Sequence, residues 1–151
     1  MRAVIQRVSS ASVEIGETAA RRIGRGVVVL VAVESGDERA DIEWLAKKIV
    51  GLRLFPGPGG RMDVSVKDIG GDVLVVSQFT LLGVTRKGTR PSYHRSADPA
   101  GAAPLYERLI RAVESELGMS VATGEFGAQM MLSLTNEGPV TIILDSKRKE
   151  I

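Results

Sequence analysis

Apolar positions along the chain follow two periods. From Ala3 to Ile15 apolar and polar residues alternate loosely, with Val4, Val8, Val13 and Ile15 prominent. That pattern predicts a strand, or two strands broken near Ser9-Ser10. Val27 to Val33 is a continuous, mostly β-branched run, as is Val73-Leu74-Val75-Val76 within Asp72 to Ser77. Both predict strands buried on two faces. Asp37 to Val50 sets Ile42, Leu45 and Ile49 on one face, with acids early and Lys47-Lys48 late. This predicts an amphipathic helix whose charges match its dipole. A second helix is predicted from Pro99, capped by Asp98, with Leu105, Leu109, Val113 and Leu117 every fourth residue and Gly118 as its stop. Phe55-Pro56-Gly57-Pro58-Gly59-Gly60 reads as a turn within the domain, because apolar patterning resumes at once. Gly83 to Pro91 reads as a polar loop. Met130 to Thr135 and Val140 to Leu144 read as two strands around Asn136-Glu137-Gly138-Pro139, and the chain ends in a charged tail from 145. The sum is one α+β domain over residues 1–151, with about six strands and two main helices.

Composition narrows the chemistry. Apolar residues are 44% and charged residues 25%, which excludes a disordered or fibrous chain. Aromatics are only 4%, so the core is built of Val, Leu, Ile and Ala. Cysteine is absent, which removes disulfides, thiolate nucleophiles and zinc–cysteine sites and fits a reducing cytoplasm. The N-terminus has no long apolar stretch after its basic start, so it does not read as a signal peptide, and Val27 to Val33 is too short to span a bilayer. Net charge is +2, within the range that solubility alone demands. Its distribution is more telling. Thr85 to Arg95 carries Arg86, Lys87, Arg90 and Arg95, with Tyr93 among them and no acid. Each cation is able to neutralise one nucleic-acid phosphate; the alternative is a solvated surface loop.

Familiar hydrolase and nucleotide motifs are missing. There is no Gly-x-Ser-x-Gly elbow, no phosphate-binding loop and no dinucleotide fingerprint. The single histidine, His94, lies between cations with no neighbouring acid to orient it, and no acidic cluster has calcium-loop spacing. Two segments stand out. Ser77-Gln78-Phe79-Thr80-Leu81 groups polar side chains where a buried strand emerges. A serine or threonine nucleophile needs an adjacent base, and none is near in sequence, so Ser77 and Thr80 fit better as hydrogen-bond donors or as satisfied strand-end hydroxyls. Asn136-Glu137-Gly138-Pro139-Val140-Thr141 reads as a turn, or as a kink around a cis Gly138–Pro139 bond.

Taken together, these segments resemble the D-aminoacyl-tRNA deacylases. The matching stretches are Gln6-Arg7-Val8 with Ala11-Ser12-Val13, Gly70 to Leu81, Gly88-x-Arg90-Pro91-Ser92, Thr123-Gly124-x-Phe126 and Asn136-x-Gly138-Pro139-Val140-Thr141. They span nearly the whole chain. Leu82 to Thr85 and the tail after Asp145 match no motif. The resemblance implies a homodimeric, barrel-like α+β fold with active sites at the subunit interface. Ser77, Gln78, Phe79 and Thr80 would form the catalytic segment of one subunit, facing Gly138 and Pro139 of the partner subunit. Arg7 would support the Gly–cis-Pro loop, and Phe126 and Met130 would hold the terminal adenine of tRNA. The expected reaction is hydrolysis of D-aminoacyl-tRNA, and of glycyl-tRNA, to free amino acid and tRNA, without cofactor or metal, in the cytoplasm.

The same resemblance implies that L-amino acids are rejected by clash rather than D-amino acids grasped. A 10⁴-fold preference corresponds to about 5.5 kcal/mol. Attack assisted by the adenosine 2′-hydroxyl, with backbone N–H groups near Phe79 and Thr80 on the oxyanion, needs no ionised side chain. Three alternatives keep the same residues: a deacylase of altered chiral selectivity, a non-catalytic RNA-binding module, and a structural protein that dimerises through β edges.

Overall fold

The computed structural model describes all 151 residues. The elements run β1 (Arg2–Ile15), β2 (Arg21–Ile23), β3 (Gly26–Ala32), α1 (Arg39–Gly51), β4 (Arg53–Pro56), β5 (Met62–Ser65), β6 (Asp72–Ser77), α2 (Pro99–Leu117), β7 (Ala122–Thr123) and β8 (Met130–Asp145). The two expected helices and the α+β class form. The strands number eight rather than six, because β2, β7 and the β4–β5 hairpin are too short to carry a legible period.

β1 is the spine of a barrel-like sheet. β8 pairs with it antiparallel along its length, while on its other edge β3 pairs with residues 2–8 and β2 with residues 11–13. Beyond β3, the order continues to β6 and β7 in parallel, with the helices in the crossover connections. Val27, Val29, Val31, Val73 and Val75 pack on the helix side with Leu45, Ile49, Leu109 and Val113. Val28, Leu74 and Val76 point the other way, into a second core with Val8, Val13 and Ile15. Burial on both faces is why β3 and β6 lack polar alternation.

Parallel pairing of β3 with β6 depends on a close approach at its start. Gly26 lies opposite Asp72, and a Cβ at Gly26 would overlap the Asp72 backbone carbonyl, its carbon only 2.7 Å away. Only glycine fits there.

Several boundaries differ from the sequence reading. The expected break at Ser9-Ser10 is a bulge in a continuous strand: Val8 pairs with Asn136 and Ser10 with Thr135, leaving Ser9 extra. The two expected strands of the C-terminal region are one, β8. Between Thr141, opposite Gln6, and Asn136, opposite Val8, residues 137–140 bulge out against the single residue Arg7. α1 begins after the expected Asp37, because the Asp37 carboxylate accepts from the Met1 ammonium at 2.5 Å and from the Glu34 N–H at 2.7 Å. Glu38 caps the helix instead, with Asp41 accepting from its backbone at 2.8 Å. In α2 the buried face is Ala102, Tyr106, Leu109, Val113 and Leu117. A strict four-residue step drifts off a 3.6-residue helix, so Tyr106 takes the core position that the sequence reading gave to Leu105.

The charged tail is not merely solvated. Asp145 is fully buried at the end of β8, and Ser146 is buried with its Oγ accepting from the Met1 ammonium at 2.7 Å. Lys147 donates to Asp41 at 2.7 Å and to the Gly36 carbonyl at 3.2 Å. Desolvation acts to raise the Asp41 carboxyl, but hydrogen bonds from Lys147, Ser146 and the Glu38 backbone outweigh it and hold it down at about 2. Asp37 is shifted upward, chiefly by burial, and works in the opposite sense.

Two stability tests follow from these contacts. Gly26→Ala is expected to cost about 3 kcal/mol or more in urea unfolding. Gly24→Ala, whose Cβ meets only Asp72 Oδ2 at 3.6 Å, is expected to cost far less; equal losses would refute the close-approach argument. Because the folded-state pKa of Asp41 lies below its unfolded value, its contribution is present above about pH 4 and lost toward pH 2. Lys147 is 42% exposed, so Lys147→Met is expected to cost about 1 kcal/mol at pH 7. That difference from wild type should shrink toward zero by about pH 2, and a pH-independent gap would contradict the pairing.

Candidate active site

The carboxyl ends of three parallel strands meet in one place. Val31 and Ala32 end β3, Ser77 ends β6, and the chain leaves β7 toward Phe126. Parallel strands send all their following segments to the same edge of the sheet, where clefts form. A cavity of about 540 Å³ opens there, a size suited to a small-molecule group. Ser77, Gln78 and Phe79 form one side, Phe126, Met130 and Leu132 another, and Pro99 and Ala102 at the start of α2 close it. Of its 17 lining residues 12 are apolar, and none is Asp, Glu, His, Lys or Arg. The only titratable group is Tyr106.

Tyr106 lies beneath Phe126, ring centroids 5.8 Å apart, and its hydroxyl donates to the Val75 carbonyl at 3.0 Å. Desolvation dominates its titration and pushes the hydroxyl up to about 12. Bonded to the backbone and that weakly acidic, it fixes the wall rather than exchanging protons. The sequence reading missed it, although its spacing from Ala102 and Leu109 placed it on the inward face of α2.

After Ser77 the chain makes a 3₁₀ turn over Phe79–Leu82. The Gln78 N–H bonds back to Val31, and the Leu81 and Gly83 N–H groups close on Gln78 and Thr80. The N–H groups of Phe79 and Thr80 precede the first closed bond, as at any helical N-terminus. Thr80 is exposed and outside the cavity lining, and its Oγ1 accepts from Gln78 Nε2. An amide nitrogen takes no proton, so the threonine hydroxyl has no base beside it. His94 is exposed, with Nδ1 2.9 Å from Ser92 Oγ, and is not in the cavity lining either.

The other motif lies elsewhere in the chain. Gly138–Pro139 is a cis peptide at the crest of the β8 bulge, exposed and not among the residues lining this cavity. Its base is tightly bonded. Arg7 Nε donates to the Glu137 carbonyl at 2.8 Å, and its Nη1 donates to the Leu54 carbonyl at 2.5 Å. Asn136 Nδ2 donates to the carbonyls of Arg7 at 2.9 Å and Val140 at 3.1 Å, pinning both ends of the bulge. Arg25, which the sequence reading did not single out, pairs with Glu137 and sits with Arg7 over the Phe55 ring. One chain therefore brings Ser77, Gln78 and Phe79 together with Phe126 and Met130, and holds Gly138-Pro139 outward.

The basic loop closes on itself through Val84 and Ser92, and Tyr93 packs edge-on against Phe79 at 5.0 Å. This docks Arg86, Lys87 and Arg90 beside the 3₁₀ turn, exposed and without ion-pair partners. Arg95 differs from its expected role: it is partly buried and held by Glu34 at 2.5 Å, so its charge is already compensated.

Known proteins resemble this chain in sequence and fold. The family model described as D-Tyr-tRNA(Tyr) deacylase matches residues 4–145. A D-aminoacyl-tRNA deacylase of Flavobacterium psychrophilum is 51% identical over 150 residues, covering 99% of this chain and all of the relative. One of the same name from Opitutus terrae is 53% identical over the same shares. A solved structure described as a c-Myc DNA unwinding element binding protein superposes with a TM-score of 0.89 at 35% identity, over 96% of this chain and 98% of that one. A probable eukaryotic D-amino acid tRNA deacylase, 20% identical with a TM-score of 0.84 over 95% and 97%, shares the fold. With 142 consecutive positions matched (residues 4–145) and about half of all residues shared with full-length relatives, the chain belongs to the D-Tyr-tRNA(Tyr) deacylase family.

Proposed function

We propose that the protein hydrolyses the ester that joins a D-amino acid to the 3′ end of tRNA, releasing the free amino acid and tRNA, and that it acts on glycyl-tRNA in the same way. The observation that carries this reading is the apolar cavity at the strand ends, which joins an aromatic wall to a turn with free N–H groups. Phe126 and Met130 would take the terminal adenine, since aromatic and apolar faces hold bases by stacking. The ester carbonyl would then lie toward the Phe79 and Thr80 N–H groups. Arg86, Lys87 and Arg90 would meet phosphates of the incoming acceptor end. The substrate sets the place of action as the cytoplasm.

Chemically, a water adds to the ester carbonyl carbon, the carbon–O3′ bond breaks, and the proton passes to O3′. Each preorganised N–H on the oxyanion is worth about 2.7–4 kcal/mol. In place of a side-chain base, the adenosine 2′-hydroxyl assists the attack, accepting a proton from the water as it passes its own to O3′.

Selectivity requires a second copy of the chain. Gly138 and Pro139 of the partner subunit would enter the cavity mouth, their carbonyls receiving the substrate ammonium. An L side chain would then strike main-chain atoms, whereas hydrogen fits. The outward, doubly anchored bulge supports this reading, because a wall that excludes by clash must not yield.

Purified protein is expected to cleave D-Tyr-tRNA and spare L-Tyr-tRNA; binding without cleavage would leave an RNA-binding module instead. Thr80→Ala is expected to keep its single-turnover rate within about tenfold, or about 1.4 kcal/mol. A loss of several orders of magnitude with the fold intact would make Thr80 the nucleophile. A Cβ at Gly138 would lie 2.9 Å from Val140 Cγ2, so Gly138→Ala reshapes the crest. Mixing inactive Gly138→Ala and Phe126→Ala chains is expected to restore about a quarter of wild-type activity, because random pairing leaves one intact site per mixed dimer. No recovery after verified exchange would mean that each chain completes its own site.

A further inference from the structure

Arg2, at the first position of β1, lies outside the cavity lining yet touches the turn beside it. Its Nε and Nη2 donate to Asp145 Oδ2 at 3.0 and 2.8 Å, and its Nη1 donates to the Leu81 carbonyl at 3.0 Å. Asp145 is fully buried, and its other oxygen accepts from the Lys147 and Arg148 N–H groups at 3.0 and 3.2 Å. A carboxylate held on both oxygens cannot rotate. A planar guanidinium held by two donors then aims its third at one point, and that point is the third residue of the Phe79–Leu82 turn. The Leu82 side chain is fully buried, and the turn's other hydrogen bonds to the rest of the fold are the Gln78 N–H on Val31 at 2.7 Å and the long Ser96 Oγ bond to Phe79 at 3.4 Å. Both bonds lie at its leading end. Without Arg2 the trailing end keeps its buried Leu82 side chain but loses its hydrogen bond to the fold, so the turn's backbone can pivot about that side chain and the Phe79 and Thr80 N–H vectors turn with it. Stability alone would not call for this pair, since buried ion pairs add little over apolar packing.

We infer that Arg2 is a positioning residue for the reaction: braced by Asp145, it holds the trailing end of the 3₁₀ turn so that its N–H groups meet the developing oxyanion. This rests on the deacylase reading above. Oxyanion donors act only when aligned, and small misplacements cost large factors in rate. The effect therefore falls on kcat and spares the binding of tRNA, which relies on Phe126, Met130 and the basic loop.

The test compares Arg2→Met, Arg2→Lys and Lys147→Met, the last loosening the same terminal cluster without touching the turn. Each is assayed with D-Tyr-tRNA, and amide hydrogen exchange is followed in residues 78–83. Arg2→Met is expected to lower kcat about ten- to a hundredfold with KM within about twofold, and to speed exchange in that segment. Arg2→Lys, which keeps the charge on a single nitrogen but loses the planar fork, recovers part of both, and carries the comparison if Arg2→Met folds poorly. Lys147→Met keeps wild-type kcat and exchange. Wild-type kcat and exchange in Arg2→Met, or an equal loss in Lys147→Met, would overturn the inference. A wild-type protein inert toward D-Tyr-tRNA would sink the deacylase reading, while the exchange data would still decide whether Arg2 holds the turn.

Discussion

The close backbone approach of β3 and β6 at Gly26 and Asp72 is the constraint on which the site depends. It aligns Val27 to Val31 with Val73 to Ser77 in parallel register. Parallel alignment then puts the ends of β3, β6 and β7 at one edge, and the segments leaving them enclose the cavity. The two helices of the crossovers cover one face and the strands around β1 cover the other. A side chain at position 26 would part the strands where they begin and misalign every residue after it.

β1 and β8 do a different task. Their long antiparallel ladder is broken by the single-residue bulge at Ser9 and, more widely, opposite Arg7, where four residues of β8 answer to one. Arg7 and Asn136 satisfy the backbone groups this irregularity would otherwise leave unpaired. At the far end of the same ladder, Arg2 and Asp145 tie the strand pair to the 3₁₀ turn. One strand pair thus supports both motifs, with an arginine beside each.

On the proposed reading, the chemistry of this cavity is matched to an activated substrate. An aminoacyl ester needs charge stabilisation more than a strong nucleophile. The lining offers hydroxyls and apolar walls and no ionised side chain, and the 3₁₀ turn beside it begins with two N–H groups ahead of its first closed bond. Tyr106, its proton held by burial, remains a neutral prop. A neutral pocket with mostly apolar walls also strengthens each backbone dipole aimed into it.

Sequence alone determined what periodicity and local chemistry encode. The two buried strands, the inward face of α1, the capped start and glycine stop of α2, and the motif segments around Ser77 and Gly138 were all legible, because each depends on neighbours within a few residues. Tertiary structure decided the rest. It made one strand of the two expected around Pro139, since the ladder with β1 resumes beyond the bulge. It turned the charged tail inward, because Asp41, Asp37 and the Met1 ammonium wait more than a hundred residues away or at the other terminus. It took Arg95 out of the basic loop's free charge by bringing Glu34 to it, and set Tyr106 under Phe126. Ion pairs, bulges and cavity walls join residues distant in the chain, and no local pattern records which partner the fold will deliver.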